Sequence, residues 1–102
     1  MKHLLDQLDK ALDHRLRLGA AALLMVDETL DFNALKTLLD ATDGNLATQL
    51  GTLEKAGYLT VTKRFKGKRP QTEYSLTAEG RLAVERHLKA LEAITKYTPK
   101  IR

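Results

Sequence analysis

The chain has 102 residues, of which 43% are apolar, and 17 Lys and Arg side chains against 13 Asp and Glu give a formal net charge of +4. This length fits a single domain, and the basic balance favours a polyanionic partner. Because the sequence contains no cysteine, disulfide frameworks, thiolate zinc sites and cysteine nucleophiles are excluded. The longest apolar stretch, Leu18 to Val26, is about half the length of a bilayer span, and the N-terminus lacks the core of a signal peptide, so we expect a cytoplasmic protein that does not contact membranes.

The first 26 residues predict two helices of different character. Leucines recur at helical spacing, with acidic side chains opposite, at Leu4, Leu5, Leu8 and Leu12. This pattern predicts one amphipathic helix over residues 1–13. From residue 14 to residue 26, apolar side chains lie on nearly every side of a helix, which is typical of a buried, central helix.

Residues 33–56 predict two helices joined by a short turn. The first covers residues 33–39 and follows a segment compatible with a short strand. Thr42 is suited to cap the second helix, which ends near Ala56. The glycine that follows, Gly57, suits the left-handed conformation found after many helix ends.

The second of these helices has a polar side whose members are mostly short and able both to donate and to accept hydrogen bonds. These residues fall within an arc of about 120°: Asn45, Thr48, Gln49, Thr52 and Lys55. An α-helix fits the major groove of B-DNA, where Asn or Gln pairs two-pronged with adenine and a Thr methyl contacts the thymine methyl. We therefore predict that this side binds DNA, together with Thr42 and Gly44 at the helix start; simple solvent exposure is the alternative.

Residues 58–76 have a period of two and predict a β-hairpin. Its tip, predicted at residues 66–70, belongs to a run of five cations without an acid: Lys63, Arg64, Lys66, Lys68 and Arg69. The other 95 residues carry 12 basic and 13 acidic side chains, so the net positive charge resides in this segment. Lys and Arg at such a tip neutralise phosphates and fix the position of the protein along DNA. The alternative is that the tip is simply a solvated turn.

Thr77 is suited to cap a last helix over residues 77–95. This helix and the first one carry apolar stripes at the two ends of a small domain, so we predict that they pair across the two-fold axis of a homodimer. The predicted interface residues are Leu4, Leu5, Leu8, Leu12, Val84, Leu88, Leu91 and Ile94. The alternative is that both stripes belong to the core of a single chain.

Two helices joined by a short turn and followed directly by a cationic hairpin have the order of a winged helix-turn-helix, here in one mostly helical α+β domain over residues 1–102. The chain resembles the small stand-alone winged-helix transcriptional regulators related to the MarR and ArsR groups in three motifs: Thr42-Asp43-Gly44-Asn45-Leu46, Leu53-Glu54-x-x-Gly57-Tyr58 and Pro70-x-Thr72-x-Tyr74-x-Leu76-Thr77-x-x-Gly80-Arg81. The resemblance implies a homodimer that binds operator DNA in bacteria or archaea through the polar helix and the wing. Many such proteins have Ser and His where this chain has Ala47 and Gln49, so base preference is not carried over at these two positions.

Three residues of the polar helix leave alternatives open. Asp43 favours the helix dipole but would repel nearby phosphates, so we interpret it as a cap of the helix and not as a DNA contact. Gly44 and Gly51 each cost about 1 kcal/mol relative to Ala. That cost is offset by a close approach of the backbone either to DNA or to a neighbouring helix.

Other functional classes find little support. The histidines His3, His14 and His87 share no metal-ligand spacing and are expected at the surface or at helix ends. Without a nucleophile context, a phosphate loop or a cofactor fingerprint, we expect no catalytic residues and no cofactor. A small-molecule effector is compatible with the sequence but not indicated by it. We expect a sequence-specific DNA-binding regulator, most simply a repressor. The alternative is a winged helix that binds an acidic protein. RNA is a less favoured partner because the chain has few aromatic residues on which bases could stack.

Overall fold

The computed structural model describes residues 1–100 and has the α+β winged-helix fold predicted from the sequence. In chain order the elements of this range are α1 (Lys2–Leu5), a 3-10 turn (Lys10–Leu12), α2 (Arg15–Val26), β1 (Leu30–Asp31), α3 (Phe32–Leu39), α4 (Asp43–Lys55), β2 (Leu59–Lys66), β3 (Arg69–Leu76) and α5 (Ala78–Thr95). Within residues 1–100, no helix is both long and apolar enough to cross a membrane.

Helices α2 to α5 begin at polar side chains that satisfy backbone donors. The Thr42 hydroxyl accepts from the backbone N–H of Asn45 at 3.3 Å, and the Thr77 hydroxyl accepts from that of Gly80 at 2.9 Å. Both caps agree with the sequence prediction. A Ser, Thr, Asp or Asn at this position supplies the acceptor that the backbone N–H groups of the first helical turn lack. Gly57 has φ +84°, as predicted for the left-handed position after α4.

Helix α2 lies at the centre of the core, as its apolar composition predicts. Its buried residues Ala20, Ala21 and Leu24 belong to one cluster with apolar side chains of α3, α4, β2, β3 and α5. That cluster includes Leu35, Leu46, Leu50, Leu53, Leu59, Tyr74, Ala83 and Val84. Burial of the α4 leucines in this cluster fixes α4 against α2. The opposite side of α4 therefore faces outward.

The three strands form one antiparallel sheet in the order β1-β3-β2. Pairing between β2 and β3 continues from Leu59 opposite Leu76 as far as Lys66 opposite Arg69. The connection is therefore a two-residue turn at Gly67 and Lys68, shorter than the predicted tip over residues 66–70. Gly67 has φ +67°, which a tight hairpin turn requires and which glycine adopts without strain.

The single helix predicted over residues 1–13 is wrong. Helix α1 ends at Leu5, and a separate 3-10 turn begins after Asp9. The Asp9 carboxylate accepts from the backbone N–H of Ala11 at 2.9 Å, and the backbone N–H of Asp9 donates to Nδ1 of His87 at 3.0 Å. These local and tertiary hydrogen bonds favour a turn over the i to i+4 bonds of a continuous helix.

The position of His87 is also a correction. The sequence predicts it at the surface or at a helix end, but it lies within α5 and its side chain is 3% exposed. A buried imidazole needs a hydrogen-bond partner, and the Asp9 backbone supplies it. Helix α5 accordingly buries a face made of Gly80, Ala83, Val84, His87 and Ala90.

Candidate nucleic-acid interface

Helix α4 presents its polar side to solvent. Its apolar stripe of Leu46, Leu50 and Leu53 is buried. Of the DNA-binding residues predicted on this helix, five are exposed: Thr42, Gly44, Asn45, Thr48 and Lys55. The other two, Gln49 and Thr52, are half-buried. The structure thus leaves a continuous polar surface along α4 and its cap.

Two of these residues already make hydrogen bonds within the chain. The Thr52 hydroxyl donates to the backbone carbonyl of Thr48 at 3.2 Å, so its oxygen lone pairs remain for an external donor. The amide oxygen of Gln49 accepts from the guanidinium of Arg17 on α2. No sequence pattern indicates this hydrogen bond, since the two residues are 32 positions apart.

Asp43 is neither the cap of α4 nor an isolated acid. Thr42 is the N-cap, and the Asp43 carboxylate pairs with the ammonium of Lys36 on α3 at 2.8 Å. The pair joins the two helices of the helix-turn-helix and neutralises a charge that would repel phosphates. Because the pair is partly exposed, we expect only a small contribution to stability from it.

The two glycines of α4 lie next to open space. Apart from its chain neighbours and the backbone of its own helix, a Cβ atom added to Gly44 or to Gly51 would meet no atom of residues 1–100 within 4 Å. Close packing against a neighbouring helix therefore does not explain them. Open space beside the backbone is what a partner that approaches α4 closely requires.

The five predicted wing cations are all exposed on the β2–β3 hairpin: Lys63, Arg64, Lys66, Lys68 and Arg69. They are not equivalent. Nε of Arg64 lies 2.5 Å from Oε1 of Glu73 on the neighbouring strand, so part of its charge is neutralised within the wing. Lys66 and Arg69 stand opposite each other at the last pair of the ladder, which concentrates positive charge at the tip.

Phe65 lies among these cations with 76% of its surface exposed. The strand period places it with Leu59 and Val61, which would predict a side chain packed on the core. Instead the hairpin projects beyond the core, and Phe65 stands opposite Pro70 near the tip. The wing therefore carries an apolar group as well as cations.

A polar junction that the sequence did not predict joins the N-terminal segment to the residue before β2 and to α5. The Tyr58 hydroxyl donates to the Asp9 carboxylate at 2.5 Å. This hydrogen bond, followed by burial and by the charge of Asp9, raises the pKa of Tyr58 from 10.0 to about 12. The junction borders a cavity of about 250 Å³ that is also lined by Glu79 and Arg86.

Known proteins share this arrangement. Residues 16–95 match the family model described as a winged helix DNA-binding domain. The chain belongs to the winged helix DNA-binding domain family. The matched range contains all of α4 and the wing, and it leaves out α1 and the 3-10 turn.

One curated protein and several solved structures are similar to this chain over most of its length. An uncharacterized protein of Methanocaldococcus jannaschii is 34% identical over 80 residues, which are 78% of this chain and 87% of that protein. A structure described as a transcriptional regulator homologue from Pyrococcus horikoshii OT3 has a TM-score of 0.84 and 28% identity, covering 93% of this chain and 95% of that chain. NadR in complex with 4-hydroxyphenylacetate has a TM-score of 0.71 and 26% identity, covering 93% of this chain and 67% of that chain.

These matches confirm the resemblance to small winged-helix transcriptional regulators. The protein is a DNA-binding regulator of this class.

Proposed function

We propose that the protein is a sequence-specific regulator that binds double-stranded DNA as a homodimer in the cytoplasm and represses transcription. The observation that carries the proposal is the exposed polar side of α4, which lies in a winged-helix fold whose wing holds five exposed cations. Base edges in the major groove require side chains that donate and accept hydrogen bonds, and phosphates require cations.

In this proposal α4 and the wing have different tasks. The α4 residues Asn45, Thr48 and Gln49 contact base edges and set the sequence preference. Thr42, Gly44, Thr52 and Lys55 line the same surface and bring the helix close to the groove. The wing contacts phosphates and gives affinity that does not depend on sequence.

Exposed leucines at the chain ends support a dimer. Leu5 on α1 is 49% exposed and Leu88 on α5 is 52% exposed, and α1 packs against α5. Half-buried members of the predicted interface lie on or near these helices, at Leu4, Leu8, Leu91 and Ile94. Exposed apolar side chains on two helices that pack together favour a partner surface.

Two members of the predicted interface belong to the core instead. Leu12 is 1% exposed and Val84 is 2% exposed within the single chain. Side chains with so little free surface have almost no area left to bury against a second subunit. The proposed interface is therefore centred on Leu5 and Leu88.

A two-fold dimer presents two α4 helices and two wings. We therefore propose a pseudo-palindromic operator whose half-site centres lie one helical turn apart or a multiple of it, about 34 to 36 Å per turn. A dimer bound across a promoter represses by blocking access of the polymerase.

Selection from random duplexes with the purified protein tests the proposal, followed by binding titrations on the selected site and on random DNA. Asn45→Ala or Gln49→Ala should lower the ratio of specific to random affinity. The double variant Lys68→Ala/Arg69→Ala should weaken binding to both kinds of DNA alike.

The double variant Lys89→Ala/Lys96→Ala is the matched control, because it removes two exposed cations outside the wing. An equal effect of the two double variants would contradict the role of the wing. No duplex binding at low salt would contradict the proposal as a whole and would favour a winged helix that binds an acidic protein. Competition with RNA distinguishes a duplex DNA site from an RNA site.

A further inference from the structure

Arg17, in the first turn of α2, is held in one orientation by the turn that precedes it. Its Nε donates to the backbone carbonyl of Ala11 at 2.7 Å, and Nη2 is 3.4 Å from the carbonyl of Lys10. The guanidinium is planar and rigid, so these contacts fix the direction of its remaining donors. One of them, Nη1, donates to the amide oxygen of Gln49 on α4.

This contact determines which end of the Gln49 amide is free. A guanidinium has five donors and no acceptor, so only the oxygen of the amide makes a favourable contact with it. The Nε2 group is then directed away from Arg17, and within residues 1–100 it has no hydrogen-bond partner that meets ordinary geometry. Gln49 is half-buried at the flank of the polar side of α4.

We propose that Arg17 is a positioning residue that sets the base preference of Gln49. With its oxygen held by Arg17, Gln49 offers a hydrogen-bond donor to DNA. Guanine (N7 and O6), thymine (O4) and adenine (N7) present acceptors in the major groove, whereas cytosine presents only an N4 donor. Gln49 therefore selects against cytosine and, with a single donor, gains no more from adenine than from guanine or thymine.

The same contact removes the adenine preference expected of a free glutamine. The two-pronged pair with adenine needs Oε1 to accept from N6 while Nε2 donates to N7. Arg17 competes for Oε1, so this pair forms only if the guanidinium gives up its hydrogen bond. Arg17 thus acts on sequence selection without touching a base. This inference rests on the proposed DNA binding through α4.

The test begins with the base position whose preference is lost in Gln49→Ala. At that position the unchanged protein should favour guanine or thymine over cytosine by about 2- to 10-fold, as expected for one hydrogen bond. In Arg17→Met the amide is free to turn, and the preference should shift towards adenine. In the Gln49→Ala background, Arg17→Met should change no preference at this position.

Arg17→Lys is the control for charge and for folding. It keeps the cation and most of the alkyl chain but loses the planar fork, so the base preference should relax while the salt dependence of binding is retained. Thermal unfolding confirms that each variant is folded. In the DNA-free protein, NMR resonances of the Arg17 Nε–H and of the Gln49 side-chain amide should shift in Gln49→Ala and in Arg17→Met, respectively.

Three results would overturn the role of Arg17. One is a base preference at this position that is unchanged in Arg17→Met and Arg17→Lys. Another is an equal loss of affinity on all sequences in Arg17→Met, with a shallower salt dependence, which would make Arg17 a phosphate contact. The third is the absence of both resonance shifts. Failure of the unchanged protein to bind any duplex contradicts the proposed function itself, and is thereby distinguished from these three.

Discussion

The backbone N–H of Asp9 donates to Nδ1 of His87 across 78 positions of the sequence, and this bond attaches the N-terminal segment to the inner face of α5. The Asp9 carboxylate also accepts from Tyr58 and from the backbone of Ala11. One residue therefore links the 3-10 turn, α5 and the segment before β2. Substitutions at this junction and on the proposed DNA-binding surface measure what each contributes.

We expect His87→Ala to lower the free energy of unfolding by about 1–3 kcal/mol. The variant loses the acceptor of the Asp9 N–H and leaves that donor without its partner in a partly buried place. Denaturant titration measures the change. His3→Ala is the matched control because His3 is exposed, and it should stay within about 0.5 kcal/mol of the unchanged protein. Equal effects of both variants would contradict the role of the junction.

Because the pKa of Tyr58 is raised in the folded state, the free energy of unfolding should depend on pH in the alkaline range. The folded state favours the neutral phenol, because its hydroxyl donates to Asp9, so its pKa is about 12 instead of 10.0. The folded state holds this proton more tightly than the unfolded chain does. The contribution to stability is therefore complete below pH 10 and is lost as the pH rises from about 10 to about 12.

Tyr58→Phe should remove this part of the pH dependence and should remove the tyrosinate absorbance that develops near pH 12. Asp9→Asn keeps an acceptor but loses the charge, so the pKa of Tyr58 should fall towards its ordinary value. Both effects are measured by absorbance titration and by denaturation at a series of pH values. A Tyr58 phenol that ionises near pH 10 in the folded protein would contradict the structure.

Gly80→Ala should destabilise the fold by about 1–3 kcal/mol or more, as an overpacked site does. A Cβ at this position would lie 2.3 Å from the backbone oxygen of Tyr58, which accepts from the backbone N–H of Thr77. Gly51→Ala is the matched control, since a Cβ there meets nothing within 4 Å. It should stabilise the helix by up to about 1 kcal/mol.

The same Gly51→Ala variant should bind the selected DNA site more weakly, because the added methyl group occupies space beside the proposed contact surface. Thermal unfolding and binding titration are measured on one preparation. A variant that is more stable and binds DNA equally well would show that Gly51 does not lie close to DNA.

Arg64 should contribute less to DNA affinity than Lys68, because Glu73 already pairs with Arg64. Removal of one cation that neutralises a phosphate makes the slope of log K against log salt shallower by about 0.9. Lys68→Ala should show such a change, and Arg64→Ala a smaller one. Glu73→Gln frees Arg64 and should raise affinity for all sequences. Equal slopes for the two alanine variants would show that the ion pair opens on DNA without an energetic penalty.

Phe65→Ala should lower DNA affinity without changing the salt slope. An exposed aromatic ring at the wing contributes through apolar contact with sugars or bases, which releases no counterions. Because 76% of Phe65 is exposed, the free energy of unfolding should change by no more than about 0.5 kcal/mol. Unchanged affinity would restrict the wing to its charged contacts.

Features set by neighbouring residues are predictable from the sequence. The caps Thr42 and Thr77, the left-handed Gly57 and the period of the hairpin depend on side chains within a few positions of each other. The outward polar side of α4 follows from the leucine stripe that the core buries.

Features set by distant residues are not predictable in this way. The break after α1 depends on Asp9 meeting His87, and the state of the Gln49 amide depends on Arg17. A helical pattern of leucines predicts which side is apolar, but not that Leu12 and Val84 are covered by the same chain while Leu5 and Leu88 are left open. That outcome depends on how elements far apart in sequence pack.

The continuous pairing of the wing up to its two-residue turn has a consequence for how the protein meets its target. Because the ladder is complete as far as Lys66 and Arg69, the backbone of the wing has one shape before DNA binds. Binding then costs the wing little conformational entropy. The cationic residues lie together on one pre-formed hairpin, so the proposed binding of a duplex needs no folding step.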